Sequence, residues 1–225
     1  GHEVLARGYT ALKTNMVVPG EPATVVGTTD GNISGDIVRQ VVALIAAFRE
    51  SVGDRADICL DLNFNFKTEG NIRIARALTG RDQVMKIFGS YHGHHDYVMV
   101  SLGIADWGDI GQRDNYKSVS YGKGIPQAVI DMTAAVPFND APMMEARIEH
   151  LIAEGKKPAC VIMEAAMMNL GVVLPEPGYL QAVRDITKKH GIVLIFDEVK
   201  TGICTAPGGA VERWGVVPDM VTLAK

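Results

Sequence analysis

The sequence predicts an α/β fold, a mostly parallel sheet with flanking helices preceded by a βαβ segment, and three observations carry that expectation. Short apolar runs such as ACVIMEAAM and IVLIFDEV have the length and branched content of buried strands. Between them, GYLQAVRDITKKHG spaces its apolar residues at helical intervals, so strand and helix alternate through the second half. Nearer the amino end, SGDIVRQVVALIAAFRESVG separates two more strand-like runs, the pattern of a parallel pair joined by a helical crossover.

Residues 9–18 (YTALKTNMVV) read as the first strand. From Ser34 the pattern puts Ile37, Val38, Val41, Leu44, Ile45 and Phe48 on one helical face, with Ser34 as the N-cap and Gly53 as the stop. ADICLDLNF, from Ala56, is the second strand and completes the βαβ unit. TEGNIRIARALTGRD starts a further helix capped by Thr68, with Ile72, Ala75 and Leu78 at helical spacing, and QVMKIFGSY follows as a short strand. Ser101 to Asn139 is rich in Gly, Asp, Asn and Ser and reads as one extended loop region. Then come a helix at 141–155, the strand ACVIMEAAM, the helix in GYLQAVRDITKKHG, the strand IVLIFDEV, a short helix near GGAVERWG and a last strand, MVTLA.

Composition bounds the function. Apolar residues make up 47% and charged residues 21% of the chain, which is ordinary for a folded globular protein. A net charge of −4 without any Lys/Arg run argues against nucleic acid or an anionic membrane as the partner, and for a small molecule. Cys59, Cys160 and Cys204 are an odd number at wide spacing and write no disulfide or zinc framework. No apolar run approaches the ~18 residues of a membrane span, and the amino end lacks a basic-then-apolar signal pattern, so a reducing, cytoplasmic setting is expected.

Two residues stand out for chemistry. IVLIFDEV runs out into Asp197 and Glu198, and MVTLAK ends on Lys225; in open α/β sheets the carboxyl ends of strands face the ligand crevice. Taken singly, Asp197 reads equally well as a turn-capping acid and Lys225 as a solvated surface amine. Together they match what pyridoxal 5'-phosphate requires: an amine to form a Schiff base, and a carboxylate to keep the pyridine nitrogen protonated so that the ring withdraws electrons from the substrate carbon.

Several motifs occur in order: ARALTGRDQVMKIFGSYHGHHD, GIP, VPFND, VIMEAAMMNLG, PEPGYL, HGIVLIFDEVKTG, GGAVERWGVVPDM and TLAK. On these, residues from about 71 to 225 resemble the cofactor domain of class III pyridoxal-phosphate aminotransferases, above all the glutamate-1-semialdehyde aminomutase branch. The resemblance implies a fold-type I large domain and amino-group transfer, by an aminotransferase or aminomutase, through a Lys225 Schiff base, with Asp197 on the ring nitrogen. It implies that Tyr91 stacks on one ring face and Val199 packs against the other, with His92 beside Tyr91 among the cofactor-binding residues. Glu164 and Asn169 fall on the family's EPxxxN positions, where the acid shapes the site and the amide bonds the ring's phenolic oxygen. Asn169, Asp197 and Lys225 are equally spaced along the chain, as if successive α/β units each deliver one side chain to the same edge. A small amino or keto substrate and a homodimer are implied as well.

The chain also departs from that pattern. Ala165 stands where proline is usual, and Lys200 where glutamine or methionine is commoner. NFNFKTEG replaces the Ser-Gly-Thr type turn that cradles the phosphate at a helix start, leaving Thr68 and Gly70 as substitutes. His92, His94, His95 and Asp96 match no zinc spacing, so no metal is expected there. Met167 and Met168 read as core or pocket filler.

The amino-terminal residues resemble a different family. GYTALKTNMVVPG and DICLDLNFNFKTEGNIRIARAL are similar to the early barrel strands of the enolase superfamily, in its mandelate-racemase-like sugar-acid dehydratase branch. That resemblance implies a βαβ segment of TIM-barrel type over residues 1–70, with Lys13 near a substrate carboxylate and Asp61 as the first magnesium-binding acid. A Mg-dependent dehydratase or racemase is therefore the alternative function, and a non-catalytic fragment is a third. On position alone, Lys13 reads as a strand-edge residue and Asp61 as a turn former. NIRIARAL suits both patterns, which makes residues 68–78 the seam of an apparent chimera or fusion, with a partial aminotransferase cofactor domain over 71–225.

Overall fold

The computed structural model describes residues 1–15, 35–61, 68–103, 111–112 and 115–223. The chain divides into two units, Gly1–Leu78 and Thr79–Lys225.

In the first unit α1 (His2–Ala6) leads into β1 (Ala11–Asn15), α2 (Gly35–Val52), a 3-10 turn at Gly53–Arg55, β2 (Asp57–Asp61) and α3 (Thr68–Thr79). β1 and β2 pair in parallel, from Ala11↔Asp57 to Asn15↔Asp61, so the expected βαβ unit forms. Among the described residues this sheet has two strands, and a barrel is not seen. α2 buries Val38, Val41 and Val52. Gly53 ends it at φ +55°, where a side chain would be strained. The Arg49 guanidinium donates to the Gly53 and Ala56 carbonyls at 2.6 and 3.1 Å, satisfying acceptors near the helix end. Leu12, Val52 and Ala56 form a small core, with Phe48 and Ile58 packed on it.

Two sequence expectations need correction in this unit. The first strand is shorter than 9–18, because residues 2–6 wind into a helix, the chain turns at Gly8 (φ +79°), and Tyr9 N–H closes back on Val4 O. Thr68 is the first residue of α3 rather than its cap, and its side chain is buried. The division at Leu78 falls within α3, at the end of the 68–78 stretch that suits both sequence patterns. Residues 16–18, the Ser34 cap and residues 63–67 of NFNFKTEG lie outside the described residues.

The second unit contains β3 (Val84–Ile87), a hairpin of β4 (Gly111–Gln112) and β5 (Asn115–Tyr116), α4 (Gln127–Asp131), β6 (Thr133–Val136), α5 (Ala141–Ala153) and β7 (Cys160–Met163). α6 (Tyr179–His190), β8 (Val193–Asp197), α7 (Gly202–Thr205), α8 (Gly209–Trp214) and β9 (Met220–Thr222) follow. Five strands form one parallel sheet in the order β6-β3-β7-β8-β9. Because strand side chains alternate, Met85, Ile87, Val161, Met163, Leu194 and Phe196 share one face, where α5 and α6 pack on them through Met144, Ile148, Leu180 and Val183. Each such buried side chain contributes about 1.5–3 kcal/mol relative to exposure. Lys86 and Asp197 alternate onto the other face.

Ser101–Asn139 is not one loop. It holds α4 and β6, and β6 is a fully buried strand of the sheet. TAAV is too short and too small to stand out, and the pairing with β3 supplies the order that its own side chains do not announce. The apolar run ACVIMEAAM is likewise strand only as far as Met163, and QVMKIFGSY only from Val84 to Ile87. α7 was not expected from the sequence.

The amino ends of the strands are closed by side chains. Arg81 donates to the Pro158 and Gly191 carbonyls at 3.2 and 2.8 Å, joining the approaches to β3, β7 and β8. Asp219 accepts two hydrogen bonds of 2.7 Å from the Arg184 guanidinium and one of 2.8 Å from Leu194 N–H. No helix among the described residues is long and apolar enough to cross a membrane.

Candidate functional site

The carboxyl ends of the same strands lie at the opposite border of the sheet. β3 is followed in the sheet by β6 on one side, whereas β7 is followed by β8 on the other, so the ends of β3 and β7 flank a topological switch point, where open α/β sheets bind ligands. The loop leaving β3 carries Tyr91 and His92, the loop leaving β7 carries Glu164 and Asn169, and β8 ends on Asp197.

His92 Nδ1 lies 2.7 Å from Asp197 Oδ2, with the two side chains 0% and 4% exposed. A carboxylate oxygen only accepts, so the ring nitrogen donates. Asp197 Oδ1 accepts from Val199 N–H at 3.1 Å. Each carboxylate oxygen offers two lone pairs, which leaves acceptor positions on Asp197 for a further donor. His92 Nε2 is buried and has no hydrogen-bond partner among the described residues.

Glu164 is buried, and its Oε2 accepts from Met168 N–H at 2.6 Å, which shapes the turn after β7. Burial pushes the Glu164 carboxyl above its ordinary range; the Met168 N–H and the charges of His92 and Lys200 oppose the shift, while Asp197 adds to it. Asn169 Nδ2 donates to Gly89 O at 3.1 Å, and its Oδ1 accepts from Lys200 Nζ at 3.3 Å. Chemistry alone fixes that amide's orientation, because a lysine only donates and a carbonyl only accepts. One amide hydrogen of Asn169 remains beyond its bond to Gly89. The departure at Lys200 thus has a structural counterpart: its ammonium holds the Asn169 carbonyl.

Tyr91 and Val199, each 38% exposed, follow or precede these groups by a residue or two in the chain and present an aromatic ring and a branched apolar side chain. A cavity of about 250 Å³ opens at the same edge, lined by Phe88, Pro137, Phe138, Met167 and Leu170 among others. Met167 is buried pocket wall and core, as its sequence context indicated.

Of the sequence-derived site residues, Tyr91, His92, Glu164, Asn169, Asp197 and Val199 gather around the ends of β3, β7 and β8. Thr68 and Lys13 belong to the first unit. Lys225 and the side chain of Asp61 lie outside the described residues. β9 stops at Thr222, the register partner of Asp197, and Glu198 N–H donates to Thr222 O at 2.9 Å. Away from this edge, Glu145, Glu149 and His190 come together, but Lys189 Nζ already sits 2.7 Å from Glu145. Sequence reasoning passed over Lys86, although a lysine inside the apolar run VMKI was a visible signal.

The family model for aminotransferase class-III matches residues 66–225. The chain belongs to the class-III aminotransferase family. It is 45% identical over 158 residues to the glutamate-1-semialdehyde 2,1-aminomutase of Methanothermobacter thermautotrophicus, covering 70% of this chain and 34% of that protein. The enzyme of the same name from Methanocaldococcus jannaschii is 42% identical over 163 residues, again covering 70% and 34%. Among solved structures, an omega-transaminase from Sphaerobacter thermophilus superposes with a TM-score of 0.61 at 37% identity, over 69% of this chain and 34% of that one. A glutamate-1-semialdehyde aminomutase from Pseudomonas aeruginosa, in complex with PMP, gives 0.56 at 32% identity, over 68% and 31%. This class-III aminotransferase chain spans about a third of the length of the curated relatives it matches. Residues 1–65 lie outside the family match.

Proposed function

We propose that this chain carries the cofactor site of a pyridoxal-phosphate-dependent enzyme of amino-group transfer, an aminotransferase or aminomutase acting on a small amino or keto substrate. The observation that carries the reading is the buried His92–Asp197 pair at the carboxyl end of β8. The residues fit the cofactor: Asp197 is desolvated yet keeps free acceptor positions, the partly exposed Val199 lies two residues after it, and the partly exposed Tyr91 adjoins its partner His92.

When bound, pyridoxal phosphate supplies an electron-withdrawing ring and an aldehyde that takes up an amine. Asp197 holds a proton on the ring nitrogen, and His92 fixes the carboxylate in place. Tyr91 and Val199 would cover the ring faces and exclude water. Asn169, whose second amide hydrogen is not used by Gly89, would hold the phenolic oxygen, and Glu164 fixes the turn that carries Asn169. Lys225, three residues beyond Thr222 in the sequence, would supply the amine that attaches the cofactor and would carry protons to and from the substrate carbon. A cytoplasmic homodimer completes the proposal, by analogy with the family.

The test is spectroscopic. Pyridoxal phosphate added to the chain gives an absorbance band in the near-ultraviolet or visible that Lys225→Ala abolishes. No band, or one that survives the substitution, overturns the reading.

A second reading concerns residues 1–70. The parallel β1–β2 pair, with Asp61 as the last residue of β2, agrees with a βαβ segment there but does not favour a Mg-dependent dehydratase or racemase using Lys13 and Asp61. It has only that strand pair behind it, whereas the first reading has the family match. Metal-dependent turnover of a sugar acid that Asp61→Ala abolishes would favour it.

A further inference from the structure

We infer that Lys86 is a positioning residue, whose side-chain nitrogen joins the two ends of the Ser90–Val100 excursion and so holds the loop that presents His92 to Asp197. Lys86 lies within β3, between β6 and β7, and is fully buried. Its Nζ donates to Ser90 O and to Val100 O, at 2.8 Å each. Among the described residues it meets no carboxylate, which is unusual, since lysines are almost never fully buried unless paired with an acid.

The two acceptors explain its presence. Ser90 immediately precedes Tyr91 and His92, and Val100 pairs with Ser120 in an isolated β-bridge at the far end of the excursion, so one nitrogen closes both ends of the loop. Neighbouring bonds converge on the same place: Gly89 N–H donates to Ser101 O at 2.9 Å, Asn169 donates to Gly89 O, and Ser90 Oγ donates to Ile87 O at 2.6 Å. An apolar side chain at 86 would fill the volume but leave both carbonyls without this donor. Burial pushes the Lys86 amine down to about 7. Even uncharged it keeps two hydrogens, one for each carbonyl.

The loop anchoring stands on these contacts alone; its consequence for the cofactor rests on the function proposed above. The test is amide hydrogen exchange and pyridoxal-phosphate affinity in the full chain, comparing wild type with Lys86→Met and Lys86→Gln. In Lys86→Met, exchange at residues 89–92 and 100–101 is expected to accelerate about tenfold while β7 and β8 are unchanged, and the dissociation constant for pyridoxal phosphate to rise about tenfold. Lys86→Gln, which keeps two hydrogens on one nitrogen, falls between. Wild-type exchange in the loop of Lys86→Met, or acceleration spread equally through β7 and β8, overturns the inference. If Lys86→Met does not fold, Lys86→Gln decides: acceleration confined to the loop supports the inference, and loss of its fold as well overturns it. If the wild type gives no band with pyridoxal phosphate, the cofactor reading fails while exchange at 89–92 still decides the role of Lys86.

Discussion

His92 and Asp197, 105 residues apart in the chain, meet in a buried hydrogen bond of 2.7 Å. It couples the loop after β3 to the end of β8. His92→Ala removes one of the two donors that the described residues give to the Asp197 carboxylate, and hydrogen bonds to charged groups are worth about 1.5–3 kcal/mol. A loss of about 2 kcal/mol is expected by urea denaturation. A change below about 0.5 kcal/mol would mean that the pair contributes nothing to the fold.

Gly89 adopts φ +76°, and a Cβ there would lie 2.1 Å from Leu170 Cδ1. Leu170 is 59% exposed, so its tip can swing aside, and the backbone strain remains. Gly89→Ala is therefore expected to cost about 1–2 kcal/mol, most of it persisting in the Leu170→Ala background. Full recovery in the double variant would show the side-chain clash to be the dominant cost.

The raised Glu164 carboxyl has a signed consequence. The folded chain holds the proton more tightly than the unfolded one, so stability is lost as pH rises from the ordinary value of 4.5 through the raised one. Glu164→Gln removes this slope. Unfolding free energies of the two proteins between about pH 4 and about pH 7 should diverge, the wild type falling relative to the variant as pH rises. A constant or growing advantage for the wild type would mean that Glu164 ionises at or below its ordinary value.

Much of this architecture could be read from residue pattern. The strand IVLIFDEV and the helices around it carry clear periodicity and clear ends, such as Gly191 at φ +57° after a basic last turn. β6 could not be read that way, because four small residues acquire strand geometry only through their pairing with β3. At the site, Asp197 was visible from its position at a strand end, and Tyr91, Glu164 and Asn169 from the motif resemblance. The bond between His92 and Asp197 was not, because it joins distant segments and no local rule predicts which histidine reaches which acid. Lys86 escaped notice for a similar reason: its purpose lies in two backbone carbonyls, and carbonyls leave no mark in a sequence.

Arg81 and Asp219 fasten the beginnings of the strands, at the border of the sheet farthest along each strand from Asp197. Alignment of the strands is thus settled before the chain reaches the loops that follow them. Selection can consequently retool those loops for new substrates without unseating the scaffold beneath.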